Sequence, residues 1–152
     1  MDNDNDNPAG AYKELEGMGS LLPEAFCGMA IKRLETLGFG EWDKDGLWNL
    51  AFCIRTEEAE LLDYCHIDSV PPRLYPVLCN RSCGRFLYER KQTGNLEIGA
   101  LDLGGVLTSL SEGDVKVGFD KGASDEERLN ALLQEMMGSG RRQLACYRKI
   151  RF

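Results

Sequence analysis

The sequence predicts a mainly α-helical fold: an antiparallel bundle of about four helices, with a β-hairpin or long loop inserted before the last helix. Apolar residues recur at helical spacing in three segments before residue 92 and in one segment after residue 124. Residues 105–120 depart from this period and alternate polar with apolar side chains next to a glycine turn. The length of 152 residues, of which 43% are hydrophobic, favours one globular domain.

The start of the chain is acidic and polar, with Asp2, Asp4 and Asp6 separated by asparagines. Such a composition buries little apolar surface, so we predict a flexible tail over 1–18 and a single helical domain over 19–152. This start lacks the basic and apolar regions of a signal peptide, and no apolar run is long enough for a membrane helix. We therefore expect neither secretion nor a membrane partner.

The first helix is predicted over 22–38, where Pro23 suits the first turn and Gly38 ends the apolar period. The second is predicted over 45–66, with Asp43 or Asp45 as its N-cap. One side of this second helix is apolar, and the other carries four charged residues: Arg55, Glu57, Glu58 and Glu60. We expect the charged side to be solvated, with a ring lumen or a partner surface as the alternative.

The third helix is predicted over 72–91, opened by two prolines and irregular in its first turn because of Pro76. The last helix is predicted over 124–149, beginning at a capping box on Ser124. Glycines weaken that last helix at 138–140, where we expect a hinge.

The predicted hairpin has arms over 106–111 and 114–119, with Gly113 in the turn. A two-stranded hairpin alone is marginal in water, so its apolar side chains need a surface to cover. That surface is either the helices of the same chain or a neighbouring subunit. The candidate interface residues are Val106, Leu110, Val115, Val117 and Phe119.

The single histidine and six cysteines limit the chemistry of this chain. One histidine excludes metal sites built from two or three histidines, and no further ligand completes a site with Cys79 and Cys83. We expect the cysteines to be small buried residues in a reducing compartment. Cys65 and His66 are neighbours that point about 100° apart on a helix, so they form no nucleophile–base pair. No cofactor, metal or catalytic residue is predicted.

The C-terminal segment 141–152 is basic in a chain whose net charge is −7. A chain of this negative charge is a poor general nucleic-acid binder. That argument does not apply to the basic segment itself. Its cations could serve the helix dipole alone, but their number and aromatic neighbours favour docking on an acidic partner, with DNA phosphate as a weaker alternative. The candidate docking residues are Arg141, Arg142, Tyr147, Arg148, Lys149, Arg151 and Phe152.

Three segments, taken in order, resemble the head–tail connector proteins of tailed bacteriophages and prophages, also called adaptor or head-completion proteins. The segments are Val70-Pro-Pro-Arg-Leu74 with the glycine-rich loop that follows, Ser109-Leu-Ser-Glu-Gly-Asp-Val-Lys-Val-Gly-Phe119, and Tyr147-Arg-Lys-Ile-Arg-Phe152. The resemblance covers about residues 31–152, and the first twenty or so residues have no counterpart in it.

The resemblance implies a structural protein without catalytic residues, which forms a ring, typically twelve-fold, beneath the portal protein after DNA packaging. Such a ring lies in the virion neck, is assembled in the host cytoplasm, and offers a platform for the next head-closure or tail protein. DNA passes through its channel without sequence-specific binding, which suits an acidic chain. We expect the hairpin to join neighbouring subunits and 141–152 to dock on the portal.

Two other hypotheses stay open. A small intracellular helical regulatory module, acting on protein or DNA, would also account for the helical pattern and the basic C-terminal segment. A thiol enzyme would need an accessible cysteine of low pKa, at Cys65 or at the Cys79–Cys83 pair.

Overall fold

The structure, a computed structural model, describes residues 6–101 and 124–148. This part of the chain contains no strand, and it forms six α-helices: α1 (Asp6–Gly17), α2 (Glu24–Thr36), α3 (Lys44–Cys65), α4 (Tyr75–Gln92), α5 (Asp125–Met137) and α6 (Arg141–Tyr147). Short 3-10 turns at Pro72–Leu74 and Ile98–Ala100 flank α4. The mainly helical fold class is confirmed, and the predicted hairpin lies outside the described residues.

Local signals place the helix ends where the sequence predicts them, to within a few residues. The Asp43 carboxylate accepts a hydrogen bond of 2.6 Å from the backbone N–H of Gly46 and caps α3. The α3 helix ends at Cys65, and its C-cap His66 has a left-handed φ of 56°. Ser124 caps α5 by accepting a bond from the backbone N–H of Glu127. The predicted irregular start of the third helix is a 3-10 turn over Pro72–Leu74, and α4 begins after it with Pro76 in its first turn.

Consecutive long helices run antiparallel and enclose one apolar core. Glu57 of α3 bonds to Arg85 of α4, and Cys53 bonds to Glu89, so the two helices run in opposite directions. The α4–α5 pair approaches closely at Gly84, where an added Cβ would lie 2.7 Å from the Cβ of Met136. The core holds fully buried side chains from α1 to α5, among them Leu15, Phe26, Leu34, Leu50, Leu78, Phe86 and Leu129.

An aromatic cluster closes the end of the bundle at which α3 begins. Phe39 packs edge-on against Phe86 with ring centroids 5.2 Å apart, and Trp42 stacks on Phe86 at 5.7 Å. The Arg90 guanidinium lies 4.9 Å from the centroid of the Phe39 ring. None of the described helices is long and apolar enough to cross a membrane.

The prediction of a flexible tail over 1–18 is wrong for residues 6–17, which form α1. Ala11 and Leu15 are fully buried against α2 and α3, one helical turn apart. Tyr12 and Met18 pack beside them and widen the apolar stripe. The helix forms because this apolar stripe packs against α2 and α3. The prediction of a tail was based on the acidic composition of the segment and did not take this stripe into account.

The predicted last helix is two helices. The chain leaves the helical path over 138–140, as the glycines predict, and α6 then starts at Arg141. Gly140 has a φ of 75°, a conformation that favours glycine. A Cβ there would lie 2.4 Å from Cγ1 of Val77, so the chain passes directly over α4 at this point.

Candidate functional site

The structure describes one of the two predicted interaction sites. The hairpin residues Val106, Leu110, Val115, Val117 and Phe119 lie outside the described residues, as do Lys149, Arg151 and Phe152. Arg141, Arg142 and Tyr147 lie on α6, and Arg148 is its C-cap. The geometry of α6 and its surroundings therefore defines the site.

One leucine attaches α6 to the bundle. Leu144 is buried against the end of α3, and its carbonyl oxygen accepts a hydrogen bond of 3.5 Å from the Cys65 thiol. The side chains of Arg141, Arg142 and Arg148 are exposed. Among the described residues these three arginines take part in no ion pair within 4.0 Å. The helix thus turns its apolar side inward and presents three guanidinium groups to solvent.

A groove of about 400 Å³ lies between α3, α4 and α6. Leu61 and Leu144 are buried at its floor, and Tyr64 is 44% exposed at its edge. The Arg148 guanidinium lies 5.1 Å above the Tyr64 ring. The complete lining is Glu57, Glu60, Leu61, Tyr64, Arg81, Arg141 and Leu144. The groove combines an apolar floor with walls of both charges.

Arg85 holds the acidic wall of this groove. Its Nη1 lies 3.1 Å from a Glu57 oxygen and 3.5 Å from a Glu60 oxygen, and its Nε lies 3.6 Å from Glu89. Burial raises the pKa of Glu57 above its ordinary value, and the hydrogen bond from Arg85 opposes this rise. The prediction of a solvated charged face is wrong for Glu57, because α4 packs over it and supplies the arginine.

The neighbouring Glu58 is also buried, but it faces the other way, toward the α1–α2 connection. Its carboxylate lies 3.2 Å from Nη1 of Arg55 and accepts a hydrogen bond of 3.3 Å from the backbone N–H of Leu21. Arg55 also donates to the carbonyl oxygen of Met18 at 3.1 Å. The solvated-face prediction is therefore wrong for Glu58 as well, and this pair anchors the N-terminal helix.

Arg81 holds the opposite wall. Its Nε donates a hydrogen bond of 2.7 Å to the carbonyl oxygen of Ser139, at the turn between α5 and α6. Within the described part of the chain, its terminal nitrogens and those of Arg141 have no hydrogen-bond partner. These two guanidinium groups are free to bind an acidic group that enters the groove.

The cysteines differ in their exposure and in the pKa of their thiols. Cys27, Cys53, Cys65, Cys79 and Cys83 are buried as predicted, whereas Cys146 is exposed on α6. Burial raises the pKa of Cys27 to about 12 and raises that of Cys65, so both thiols are poor nucleophiles. Cys79 and Cys83 approach to 4.0 Å, and the hydrogen bond between them lowers the pKa of Cys79 while it raises that of Cys83. Among the described residues no three ligating side chains are grouped to hold a metal ion.

Neither the models of known protein families, nor the curated proteins, nor the solved structures include a match to this chain. The resemblance of the three sequence segments to connector proteins accordingly stays an expectation.

Sequence patterns alone missed two residues of the site, Tyr64 and Arg81. Both lie inside predicted helices, and nothing in the spacing of their neighbours distinguishes them from other exposed helix residues. Arg81 reaches Ser139 across 58 positions, and Tyr64 meets Arg148 only when α6 folds back on α3. Such contacts depend on tertiary packing, which local periodicity does not predict.

Proposed function

We propose that this chain is a structural assembly protein of the phage head–tail connector kind, which docks on the portal protein through α6. It forms a ring beneath the portal, extends the DNA channel and carries the next head-closure or tail protein. The observation that carries the proposal is the set of three exposed arginines on a short helix anchored by Leu144.

The charge distribution supports a protein partner for α6. The chain as a whole has a net charge of −7, yet α6 and its C-cap carry three arginines and no acidic residue. Arginine beside tyrosine is the composition enriched at the centres of protein interfaces. An acidic body with one basic end binds acidic protein surfaces at that end and repels DNA elsewhere, as a channel protein requires.

Sedimentation with assembled portal rings from the same genome tests the proposal. We expect the protein to co-sediment with the rings at a fixed ratio. A double variant, Arg142→Glu with Arg148→Glu, should bind at least about tenfold more weakly, because it replaces attraction to an acidic surface with repulsion. Neither side chain has a hydrogen-bond partner in the described residues, and only the contact of Arg148 with the Tyr64 ring is lost, so the bundle should keep its fold.

The matched control reverses two exposed charges far from α6, Lys13→Glu on α1 with Lys44→Glu at the start of α3. It changes the net charge by the same amount and should bind portal rings as the unchanged protein does. If the unchanged protein stays a small species beside assembled portals, the connector proposal is overturned and the regulatory module becomes the better hypothesis. Equal loss in both double variants would show a net-charge effect and would overturn docking through α6.

A further inference from the structure

We propose that the groove between α3, α4 and α6 binds an acidic segment of the portal protein, in which a carboxylate side chain neighbours an apolar one. This inference rests on the proposed function and names the chemistry that the docking site recognises. Its basis is the arrangement of charges and leucines around the groove.

The two arginines that line the groove are not paired with its two glutamates. Glu57 and Glu60 both pair with the single guanidinium of Arg85. Arg81 and Arg141 line the same groove, and neither forms an ion pair within the described ranges. Two guanidinium groups therefore face the groove with their charge available to a ligand, in the fork geometry that suits a carboxylate.

Three arginines surround the groove. Arg81 and Arg141 line it together with Tyr64. Arg148 is held there by its contact with the Tyr64 ring. A carboxylate entering near Tyr64 would thus meet guanidinium groups from α4 and from both ends of α6.

The floor of the groove selects for an apolar neighbour. Leu61 and Leu144 present hydrocarbon between the charged walls, and Tyr64 adds an aromatic edge. A volume of about 400 Å³ accommodates one or two side chains. A nucleic-acid backbone fits poorly, because its phosphates would gain nothing from the leucines. An acidic peptide with an apolar side chain satisfies both surfaces.

A labelled peptide of alternating glutamate and leucine, titrated with the full-length protein and followed by fluorescence anisotropy, tests the groove. Arg141→Gln should weaken binding about tenfold, since one charge-assisted contact is lost. Arg81→Gln should weaken it similarly, and circular dichroism checks that loss of the Ser139 contact leaves the fold intact. Glu60→Gln should tighten binding, because it removes a carboxylate from the wall. Lys32→Gln, an exposed change outside the groove, should have no effect.

Three outcomes would overturn the inference. One is equal binding of a peptide in which glutamine replaces each glutamate. Another is tighter binding of labelled single-stranded DNA that is lost on Arg141→Gln, which would assign the groove to phosphate. The third is unchanged portal binding by Arg141→Gln and Arg81→Gln, which would leave the proposed function standing and place docking elsewhere on α6. If the peptide binds as expected but the unchanged protein ignores portal rings, the proposed function fails instead, and the portal is not the source of the segment.

Discussion

The two terminal helices of the described chain differ in how they are joined to the bundle. Helix α1 buries Ala11 and Leu15 completely, and the ion pair between half-buried Arg55 and buried Glu58 bonds to the turn that follows it. Helix α6 buries only Leu144 and directs its arginines to solvent. Apolar burial makes α1 part of the fold, whereas α6 is a polar attachment whose arginines form no ion pair within the described residues. The difference separates a helix that stabilises the protein from one that is available to bind another.

Two adjacent glutamates of α3 contact these two ends of the molecule separately. Glu58 pairs with Arg55 and accepts a hydrogen bond from the backbone of Leu21, next to the N-terminal helix. Glu57 turns toward Arg85 and the groove beneath α6. Because consecutive helix residues point about 100° apart, one helix supports both ends with different side chains. Each end can therefore be perturbed separately.

Leu15→Ala should produce the largest loss of stability. The side chain is fully buried between helices, so truncation should lower the free energy of unfolding by about 3 kcal/mol. Urea unfolding measures the change, and Leu21→Ala is the control, since Leu21 is 71% exposed and should change it by less than about 0.5 kcal/mol. A loss as small as that of the control would mean that α1 is not part of the cooperative fold.

Gly140→Ala should come next and acts on the C-terminal end. The new Cβ would clash with Val77 at a backbone position with positive φ, costing on the order of 3 kcal/mol. Gly94→Ala isolates the backbone part, because Gly94 has a φ of 76° but open space around it. We expect it to cost about 1 kcal/mol in the same urea experiment. Equal costs at the two positions would contradict the close passage of the chain over α4.

Leu144→Ala should cost less, about 2 kcal/mol, because the short helix that carries it can readjust at the surface. It should also weaken portal binding although every arginine is kept, since α6 loses its anchor. Leu15→Ala, folded and at the same concentration, should bind portal rings normally. Hydrogen exchange reports the local release of α6. The comparison between the two ends fails if both variants lose portal binding equally.

The smallest expected effect is the pH dependence removed by Glu57→Gln. Burial raises the pKa of Glu57 in the folded protein, so the fold binds this proton more tightly than the unfolded chain does. The stabilisation it contributes is present below the unfolded value of about 4.3 and is lost as pH rises through the folded value. The unfolding free energy of the unchanged protein minus that of the variant should therefore decrease with rising pH. A difference that stays constant or increases would contradict the assigned direction.

Local features of this fold could be predicted from the sequence, and long-range ones could not. The cap of α3 was predicted at Asp43 or Asp45 and is found at Asp43. This cap, the irregular start of α4 and the break over 138–140 depend on a few consecutive residues, and these predictions are confirmed. The burial of Glu57 depends on Arg85, 28 positions away, and that of Glu58 on Leu21, 37 positions away. The spacing of Ala11 and Leu15 favours a helix at α1. The prediction of a tail was based instead on the acidic residues that precede them.

The candidate site likewise has one part that the local sequence predicts and one part that it does not. Arg141, Arg142 and Arg148 were predicted because they are close in sequence and share one sign of charge. The groove was not predicted, because it exists only where α6 meets Arg81 of α4 and Tyr64 of α3. Charge clusters are local properties, whereas the cavity that gives such a cluster selectivity is a property of the packed chain.

Both tryptophans lie toward the same end of the bundle, so their fluorescence reports on that end. Trp42 stacks in the aromatic cluster at the start of α3, and Trp48 stacks on Phe52 one turn into that helix, with ring centroids 5.3 Å apart. Tyr64, beneath α6, lies about 24 Å further along α3 at 1.5 Å per residue. Tryptophan emission therefore reports on the end of the bundle opposite to α6 and does not respond to release of α6. Release of α6 ahead of global unfolding would change the far-ultraviolet dichroism while the emission stayed constant.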